Sequence, residues 1–323
     1  MMINTENLEI LSPKNQLQLF GYDDYFNSFI KLFNKNKLPN TILLSGLKGS
    51  GKATFAYHFI NYLFSYREHD KYSVSDFTIN PDNRSYKRLL TNTHPNFFLI
   101  ENNTHEENIK IENVRNILRF LNKTTYNSNI KIVMIDNVEY LNINSSNALL
   151  KVLEEHNENT FFFIIHNSSN RILKTIKSRC IQFKLFFTLS KKKNILESII
   201  KAYNGNFDTD EIIDNFYFDT PGNVLRYLKI FTEKNFEYNQ NKLSCISFLI
   251  DKYKKKKDPE LLFLISLMVE LFYNELSLKN TKKLNIYFYN KSKILKEINN
   301  VKKFNLDKNN LFISIQEILK NES

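Results

Sequence analysis

Residues 46–54, GLKGSGKAT, have the spacing of a phosphate-binding loop. Gly46, Gly51 and Lys52 match the pattern GxxxxGK[ST], in which glycines let backbone N–H groups surround phosphate oxygens. The lysine ammonium then lies near the β and γ phosphates. The candidate nucleotide-binding residues in this stretch are Gly46, Gly49, Gly51, Lys52 and Thr54.

One position departs from the pattern. Ala53 stands where a Ser or Thr hydroxyl would ligate Mg²⁺. Thr54 comes one position late, so its side chain leaves the helix about 100° away. Two interpretations of the loop stay open for binding: weakly bound ATP or ADP, or a retained fold element without ligand. For hydrolysis, the missing hydroxyl favours an inactive loop.

A second element fits the same chemistry. Four apolar residues, IVMI at 132–135, end in Asp136, as in a Walker B strand whose carboxylate helps to hold the metal. Active ATPases of the relevant class then carry a glutamate, but here Asn137 follows. An amide cannot accept a proton at neutral pH and therefore cannot act as general base.

The elements that must position these residues are short apolar runs alternating with helical patterns. Nearly continuous apolar runs are typical of parallel strands buried on both faces. The predicted fold class is therefore α/β, with a five-stranded parallel sheet flanked by helices. The predicted strands are residues 41–45, 97–101, 131–135, 161–166 and 181–185.

Helical spacing predicts helices from Lys52 onward, over residues 111–122, and after Asn144 as N-cap. The polar stretch 65–93 reads as an irregular insertion. After residue 186 the strands stop and only helical patterns continue. We predict three domains: an α/β nucleotide-type domain (1–186), a small helical lid (187–236) and an all-α oligomerisation domain (237–323).

Length and composition indicate a globular protein. The chain has 323 residues, 42% of them hydrophobic, and only two cysteines, which argues against a disulfide framework or a cysteine zinc module. A net charge of +11 suits a polyanion such as DNA, and a general lysine-rich bias would produce it too. We found neither a run of eighteen apolar residues nor an apolar signal core, so we expect a cytoplasmic protein without membrane contact.

Several motifs occur in the order of one known family. The chain resembles the clamp-loader subunits of bacterial DNA polymerase III, in the AAA+ superfamily, and among them the delta-prime type. The resemblance runs from about residue 17 to about residue 230. The motifs that carry it are Leu38-Pro39-Asn40, GKAT in the loop, Ile111-Glu112-Asn113-Val114-Arg115, Asn147-Ala148-Leu149-Leu150-Lys151, Leu153-Glu154-Glu155 and Ser178-Arg179-Cys180.

The resemblance implies roles for several side chains. Ser-Arg-Cys supplies an arginine finger in this family, so Arg179, beside Ser178, would reach a neighbouring subunit's ATP site. A planar, permanently charged guanidinium suits that task, because it can grip a γ phosphate with two donors. Arg115 would face a DNA phosphate and Lys151 the inter-subunit region. A plain surface residue is the alternative for each.

Departures from active family members point the same way. Ala53 and Asn137 lack the hydroxyl and the acid, and Gly222-Asn223 stand about where an ATP-sensing arginine would be, with Arg226 out of register. The finger is kept while parts of the ATP machinery are lost, a combination that resembles delta-prime. Family members usually carry a cysteine zinc module after the first helix. The stretch 65–93 has no cysteine, so we expect no zinc and no required cofactor.

The resemblance implies a scaffold within the DNA polymerase III holoenzyme that neither polymerises DNA nor hydrolyses ATP by itself. Its partners would be the gamma/tau ATPase subunits, the delta subunit, primed DNA inside the assembly and, indirectly, the sliding clamp. Two alternatives stay open: an ATP-hydrolysing motor of the gamma/tau type or another AAA+ ATPase, and a stand-alone basic DNA-binding protein.

Overall fold

The computed structural model describes residues 12–101, 109–125, 130–155, 157–202, 212, 216, 219–233, 242–256, 259–304 and 308–320. Two compact units divide the chain, Met1–Leu225 and Arg226–Ser323. The sheet lies in the first unit, and the second unit is helical in its described residues. The three-domain division at residues 186 and 236 stays a prediction.

Five strands form a single sheet in the first unit. They are β1 (Thr41–Gly46), β2 (Phe97–Ile100), β3 (Lys131–Ile135), β4 (Thr160–Asn167) and β5 (Ile181–Lys184). Their order is β2-β3-β4-β1-β5, and all four pairings are parallel. The predicted five-stranded parallel sheet is confirmed, and each observed strand end lies within one residue of the predicted end.

Helices connect these strands and cover both faces of the sheet. In the first unit they are α1 (Asp23–Asn34), α2 (Lys52–Ser65), α3 (Arg84–Leu90), α4 (Ile111–Leu121), α5 (Ile143–Glu154), α6 (Lys174–Ser178) and α7 (Leu189–Ala202). Helix α8 (Pro221–Glu233) begins in the first unit and ends in the second.

The position of β3 within the sheet explains why residues 132–135 are all apolar. Ile132 and Met134 belong to the core cluster that contains the aromatic side chains of α1 and α2. Val133 and Ile135 belong to the opposite cluster, with the apolar stripes of α4 and α5. Because successive side chains of a strand point to opposite faces, a strand covered on both sides has no polar face.

The prediction of an irregular insertion over residues 65–93 is wrong in part, because α3 lies within it. Asn83 Oδ1 accepts a hydrogen bond from the Tyr86 N–H at 2.7 Å and caps the helix. Tyr72 and Phe77, also in the stretch, pack against the Phe26 ring of α1. Helix α3 has only seven residues, too few for a clear hydrophobic period.

The predicted N-cap of α5 is also wrong. Helix α5 begins at Ile143, and Asn142 is the cap, with its Oδ1 accepting from the Ser145 N–H at 2.8 Å. Asn144 lies inside the first turn and is exposed. Both asparagines suit a cap by type, and the extended backbone of Asn142, at ψ 171°, decides between them.

Four further helices lie in the described residues of the second unit: α9 (Lys242–Lys256), α10 (Pro259–Lys279), α11 (Leu284–Phe304) and α12 (Lys308–Lys320). Helix α10 packs against α9 and α11. Of the helices that the structure describes, only α10, over Leu261–Lys279, is long and apolar enough to cross a membrane by length and composition. More than half of that segment is buried inside the unit, as in a core helix of a soluble protein.

Candidate functional site

The loop after β1 folds as the sequence predicts, with α2 beginning at Lys52. Gly49 and Gly51 have positive φ angles of +78° and +84°, which side chains with a Cβ rarely adopt. Gly46 is crowded, because a Cβ there would lie 2.3 Å from the Leu185 carbonyl oxygen. The backbone of the loop itself therefore requires all three glycines.

The Lys52 ammonium is engaged by this loop. Its Nζ donates to the carbonyl oxygens of Gly46 and Leu47 at 2.9 and 2.6 Å, and the residue is buried. Burial lowers the pKa of Lys52 to about 8, and the carboxylates of Asp136 and Glu139 oppose that shift. The predicted phosphate-binding cation thus stabilises the loop backbone in this structure.

Asp136 directly follows β3 and lies near Lys52. Burial raises the pKa of the Asp136 carboxyl to about 6, and the Lys52 ammonium opposes that shift. The next residue, Asn137, has a left-handed backbone with φ 60° and occupies the position of the catalytic acid. The structure therefore brings the predicted loop residues and Asp136 together, without a general base at that position.

The donor set does not fit the magnesium complex of a hydrolysed nucleotide. Mg²⁺ needs nearly octahedral oxygen ligands. Ala53 offers only a methyl group, which packs against the core. Thr54 lines a cavity beside the loop. The loop keeps the conformation of a phosphate-binding loop and lacks the hydroxyl that would hold the metal.

This cavity has a volume of about 110 Å³. Its polar edge is loop segment 49–51, where Ser50 Oγ is buried without a hydrogen-bond partner among the described residues. The volume is below the ~300–1,000 Å³ of typical small-molecule sites. The apolar lining includes Leu19, Phe20, Phe187, Ile195, Ile199 and Leu225.

The start of α8 packs directly onto the loop. The Gly222 N–H donates to the Gly49 carbonyl at 2.9 Å, and Thr220 Oγ1 donates to the Lys48 carbonyl at 2.7 Å. A Cβ on Gly222 would lie 2.6 Å from the Gly49 oxygen. In the sequence, Gly222-Asn223 stand out only for a missing arginine. Their contact with the loop could not be predicted, because no local pattern links residues so far apart.

Arg179 lies at the other end of β1 from the loop. Thr41 Oγ1 donates to the Arg179 carbonyl at 2.6 Å. Thr41 is the first residue of β1 and Gly46 the last. At about 3.3 Å per residue, about 16 Å separates these two ends of the strand. The structure therefore does not bring Arg179 and its neighbour Ser178 together with the loop of the same chain.

The Arg179 guanidinium contacts side-chain and backbone oxygens of its own chain. Its Nε donates to Glu154 Oε1 at 2.5 Å, and its Nη2 forms an ion pair with the same oxygen. Its Nη1 donates to the Thr175 carbonyl at 3.2 Å, which also accepts from Ser178 Oγ at 3.0 Å. In the sequence, Glu154 stands out only as part of a family motif. Its contact with Arg179 requires the tertiary fold.

Arg115 and Lys151 lie on the exposed surfaces of α4 and α5, which pack against each other. Arg115 Nη1 lies 3.9 Å from Glu112 Oε2, one turn earlier on α4. Lys151 lies in the last turn of α5. Neither side chain is part of the loop region, and their predicted contacts with DNA or a subunit stay predictions.

No group of three or more His, Cys, Asp or Glu side chains in the described part of the chain could hold a metal ion. Cys180 and Cys245 are buried thiols, and burial raises the pKa of Cys180 to about 11. The expected absence of zinc stays a prediction.

Comparison with known proteins agrees with the resemblance. A family model described as DNA polymerase III, delta subunit matches residues 21–187, about half of the chain. A DNA polymerase III subunit delta′ of Pseudomonas aeruginosa is 33% identical over 140 residues, 43% of this chain and 41% of that protein. The match thus spans less than half of that relative. A subunit delta′ of Buchnera aphidicola subsp. Acyrthosiphon pisum is 25% identical over 257 residues, 70% of this chain and 74% of that protein.

A solved structure has a similar fold. The crystal structure of a DNA polymerase III gamma subunit-related protein from Thermotoga maritima matches with a TM-score of 0.50 and 16% identity, covering 91% of this chain and 99% of that one. This likeness and the strand order confirm the expected fold class, a five-stranded parallel α/β sheet followed by a helical region. With its family match, this chain belongs to the DNA polymerase III delta subunit family.

Proposed function

We propose that the chain is the delta-prime-type subunit of a DNA polymerase III clamp loader, acting in the cytoplasm during DNA replication. It is a scaffold that does not hydrolyse ATP by itself and that supplies Arg179 to a neighbouring ATPase subunit. The assembly loads the sliding clamp on primed DNA. Membership of the family and the two delta′ relatives support this proposal.

The separation of Arg179 from its own loop is the observation that carries the proposal. The two lie at opposite ends of β1, about 16 Å apart along the strand. The loop of the same chain also lacks the hydroxyl for Mg²⁺ at Ala53 and the acid at Asn137. An arginine that acts on ATP from this position acts on another subunit's nucleotide.

The proposed partners are the gamma/tau ATPase subunits and the delta subunit, with the clamp contacted indirectly and DNA held within the assembly. Exposed apolar side chains on α11 support the second unit as the oligomerising part: Ile286, Phe288 and Tyr289 are all more than half exposed. Apolar surface of this kind favours burial against a partner. The loop requires no nucleotide in this proposal and at most binds ATP or ADP weakly.

The test is reconstitution with the partner subunits from the same source. Arg179→Ala should lower the clamp- and DNA-stimulated ATP turnover of the assembly without preventing assembly. An arginine finger supplied in trans is worth ~10³–10⁵ in rate at the site it serves. Arg67→Ala, which removes an exposed arginine on another surface, is the matched control. Equal rates for the two variants would remove the finger assignment.

The alternatives predict different behaviour of the isolated chain. We expect no Mg²⁺-dependent ATP turnover, because the hydroxyl and the general base are missing. Turnover that Lys52→Ala abolishes would establish the motor alternative. Tight, salt-sensitive DNA binding by the isolated chain would support the stand-alone DNA-binding alternative.

A further inference from the structure

We infer that Glu154 is a positioning residue for Arg179, which it orients with its terminal N–H edge free for a phosphate. This inference rests on the proposed function of Arg179 and assigns Glu154 a part in that function. The two side chains come from separate elements, the last residue of α5 and the residue that follows α6.

The hydrogen bonds of the Arg179 guanidinium show which of its N–H donors are already occupied within the chain. Arginine has five N–H donors in a fixed plane. Glu154 Oε1 takes the side edge, formed by Nε and Nη2, and the Thr175 carbonyl takes one N–H of Nη1. One N–H on each terminal nitrogen is left without a partner among the described residues. Two donors on the terminal nitrogens of one guanidinium can bind a phosphate together.

The backbone of Arg179 is fixed as well. Its carbonyl accepts from Thr41 Oγ1 at 2.6 Å, and its N–H donates to the Ile176 carbonyl at 3.1 Å. With the main chain held, the remaining freedom lies in the long side chain. Glu154 restricts that freedom, because Nε and Nη2 meet a single oxygen.

The location of Glu154 is not explained by its own helix. It ends α5, where the partial negative charge of the helix terminus makes a carboxylate unfavourable. The guanidinium offsets that charge. The adjacent Glu155 is also exposed and forms none of the described ion pairs, so it offers a control with the same charge one residue away.

Ordering the arginine before the phosphate arrives reduces the entropy lost in the transition state. Loss of Glu154 should therefore slow the chemical step at the neighbouring site and leave nucleotide binding there unchanged. A charge effect on the whole assembly would instead be shared by Glu155.

The experiment uses the reconstituted assembly with full-length Glu154→Gln and Glu155→Gln chains and with ATP as substrate. Glu154→Gln should lower kcat for stimulated ATP turnover about three- to tenfold, the size expected for ordering one long side chain, with KM for ATP unchanged. Glu155→Gln should match the unsubstituted assembly. In the Arg179→Ala background, Glu154→Gln should have no further effect.

Each other outcome overturns the inference. If Arg179→Ala lowers ATP turnover as expected but the two glutamine variants have equal rates, Glu154 has no positioning role, and Arg179 remains the finger. A higher rate with Glu154→Gln means that the carboxylate restrains the finger. An unchanged rate with Arg179→Ala removes both proposals. Thermal unfolding of each chain, with Glu154→Asp as a second variant, separates these outcomes from a folding defect.

Discussion

The Gly222 N–H donates a hydrogen bond to the Gly49 carbonyl over 2.9 Å and joins the start of α8 to the phosphate-type loop. The two backbones approach so closely that a Cβ on Gly222 would lie 2.6 Å from the Gly49 oxygen and 3.1 Å from its Cα. Thr220 Oγ1 adds a hydrogen bond to the Lys48 carbonyl. The loop is therefore packed against protein backbone on this side.

Gly222→Ala should destabilise the first unit. Glycine to alanine inside a helix ordinarily stabilises by about 0.5–1 kcal/mol. Here the new methyl group meets backbone atoms that cannot move aside, so we expect a loss of about 1–3 kcal/mol, typical of overpacking. Urea unfolding of the full chain measures the change. A gain in stability would show that the α8 start does not press on the loop.

His58 should make stability depend on pH. It is fully buried, and because the Gln16 carbonyl can only accept, Nε2 carries the proton and Nδ1 accepts from the Tyr72 hydroxyl. Burial lowers the pKa of His58 from 6.5 to about 3. Between these values the unfolded chain binds more protons, so the free energy of unfolding falls as pH falls, by about 1.4 kcal/mol per pH unit at most.

His58→Gln should flatten that dependence between pH 6.5 and 4, in urea unfolding at several pH values. His69→Gln, whose side chain is 99% exposed, should leave it unchanged. The raised pKa of Asp136 acts in the opposite direction below pH 6, and the lowered pKa of His94 acts in the same direction. The test is therefore the difference between the two variants in how the free energy of unfolding depends on pH. Equal pH dependence for both variants would contradict the role given to His58.

The two asparagines at the start of α5 should differ in their effect on stability. Asn142→Ala removes the oxygen that accepts from the Ser145 N–H and should cost about 0.5–2 kcal/mol. Asn144→Ala should have little effect, since it exchanges one exposed helical residue for a better helix former. Thermal unfolding compares them, and a larger loss at Asn144 would support the cap that the sequence predicted.

Lys131 should stabilise the end of α4. Its Nζ donates to the carbonyl oxygens of Phe120 and Leu121, in the last turn of α4, and of Lys123, just after the helix. A cation at this place also suits the partial negative charge of the helix C-terminus. Lys131→Met keeps the apolar stem and removes these bonds, so we expect a loss of about 1.5–3 kcal/mol. The control is Lys177→Met, on an exposed site. Similar urea midpoints for both variants would exclude the capping role.

Much of the first unit could be predicted from the sequence. The five strands are apolar runs because both faces of the sheet are covered, and the loop is recognised because its glycines and lysine are close in sequence. Helix α3 and the cap at Asn142 were not predicted. Helix α3 was missed because seven residues are too few to show a hydrophobic period. The cap was misplaced because Asn142 and Asn144 are two residues apart and both are suitable cap residues by type.

The sequence by itself determined the strands, the phosphate-type loop and the identity of Ala53 and Asn137, because these depend on residue type and on near neighbours. Only the tertiary structure decided the contacts of Arg179 with Glu154 and of Gly49 with Gly222. Thr220 and Lys48, which belong to the second contact, are 172 residues apart in the chain. Contacts of that kind depend on how β1 pairs with its neighbouring strands and on where later helices pack against the loop. Short-range sequence patterns do not encode either.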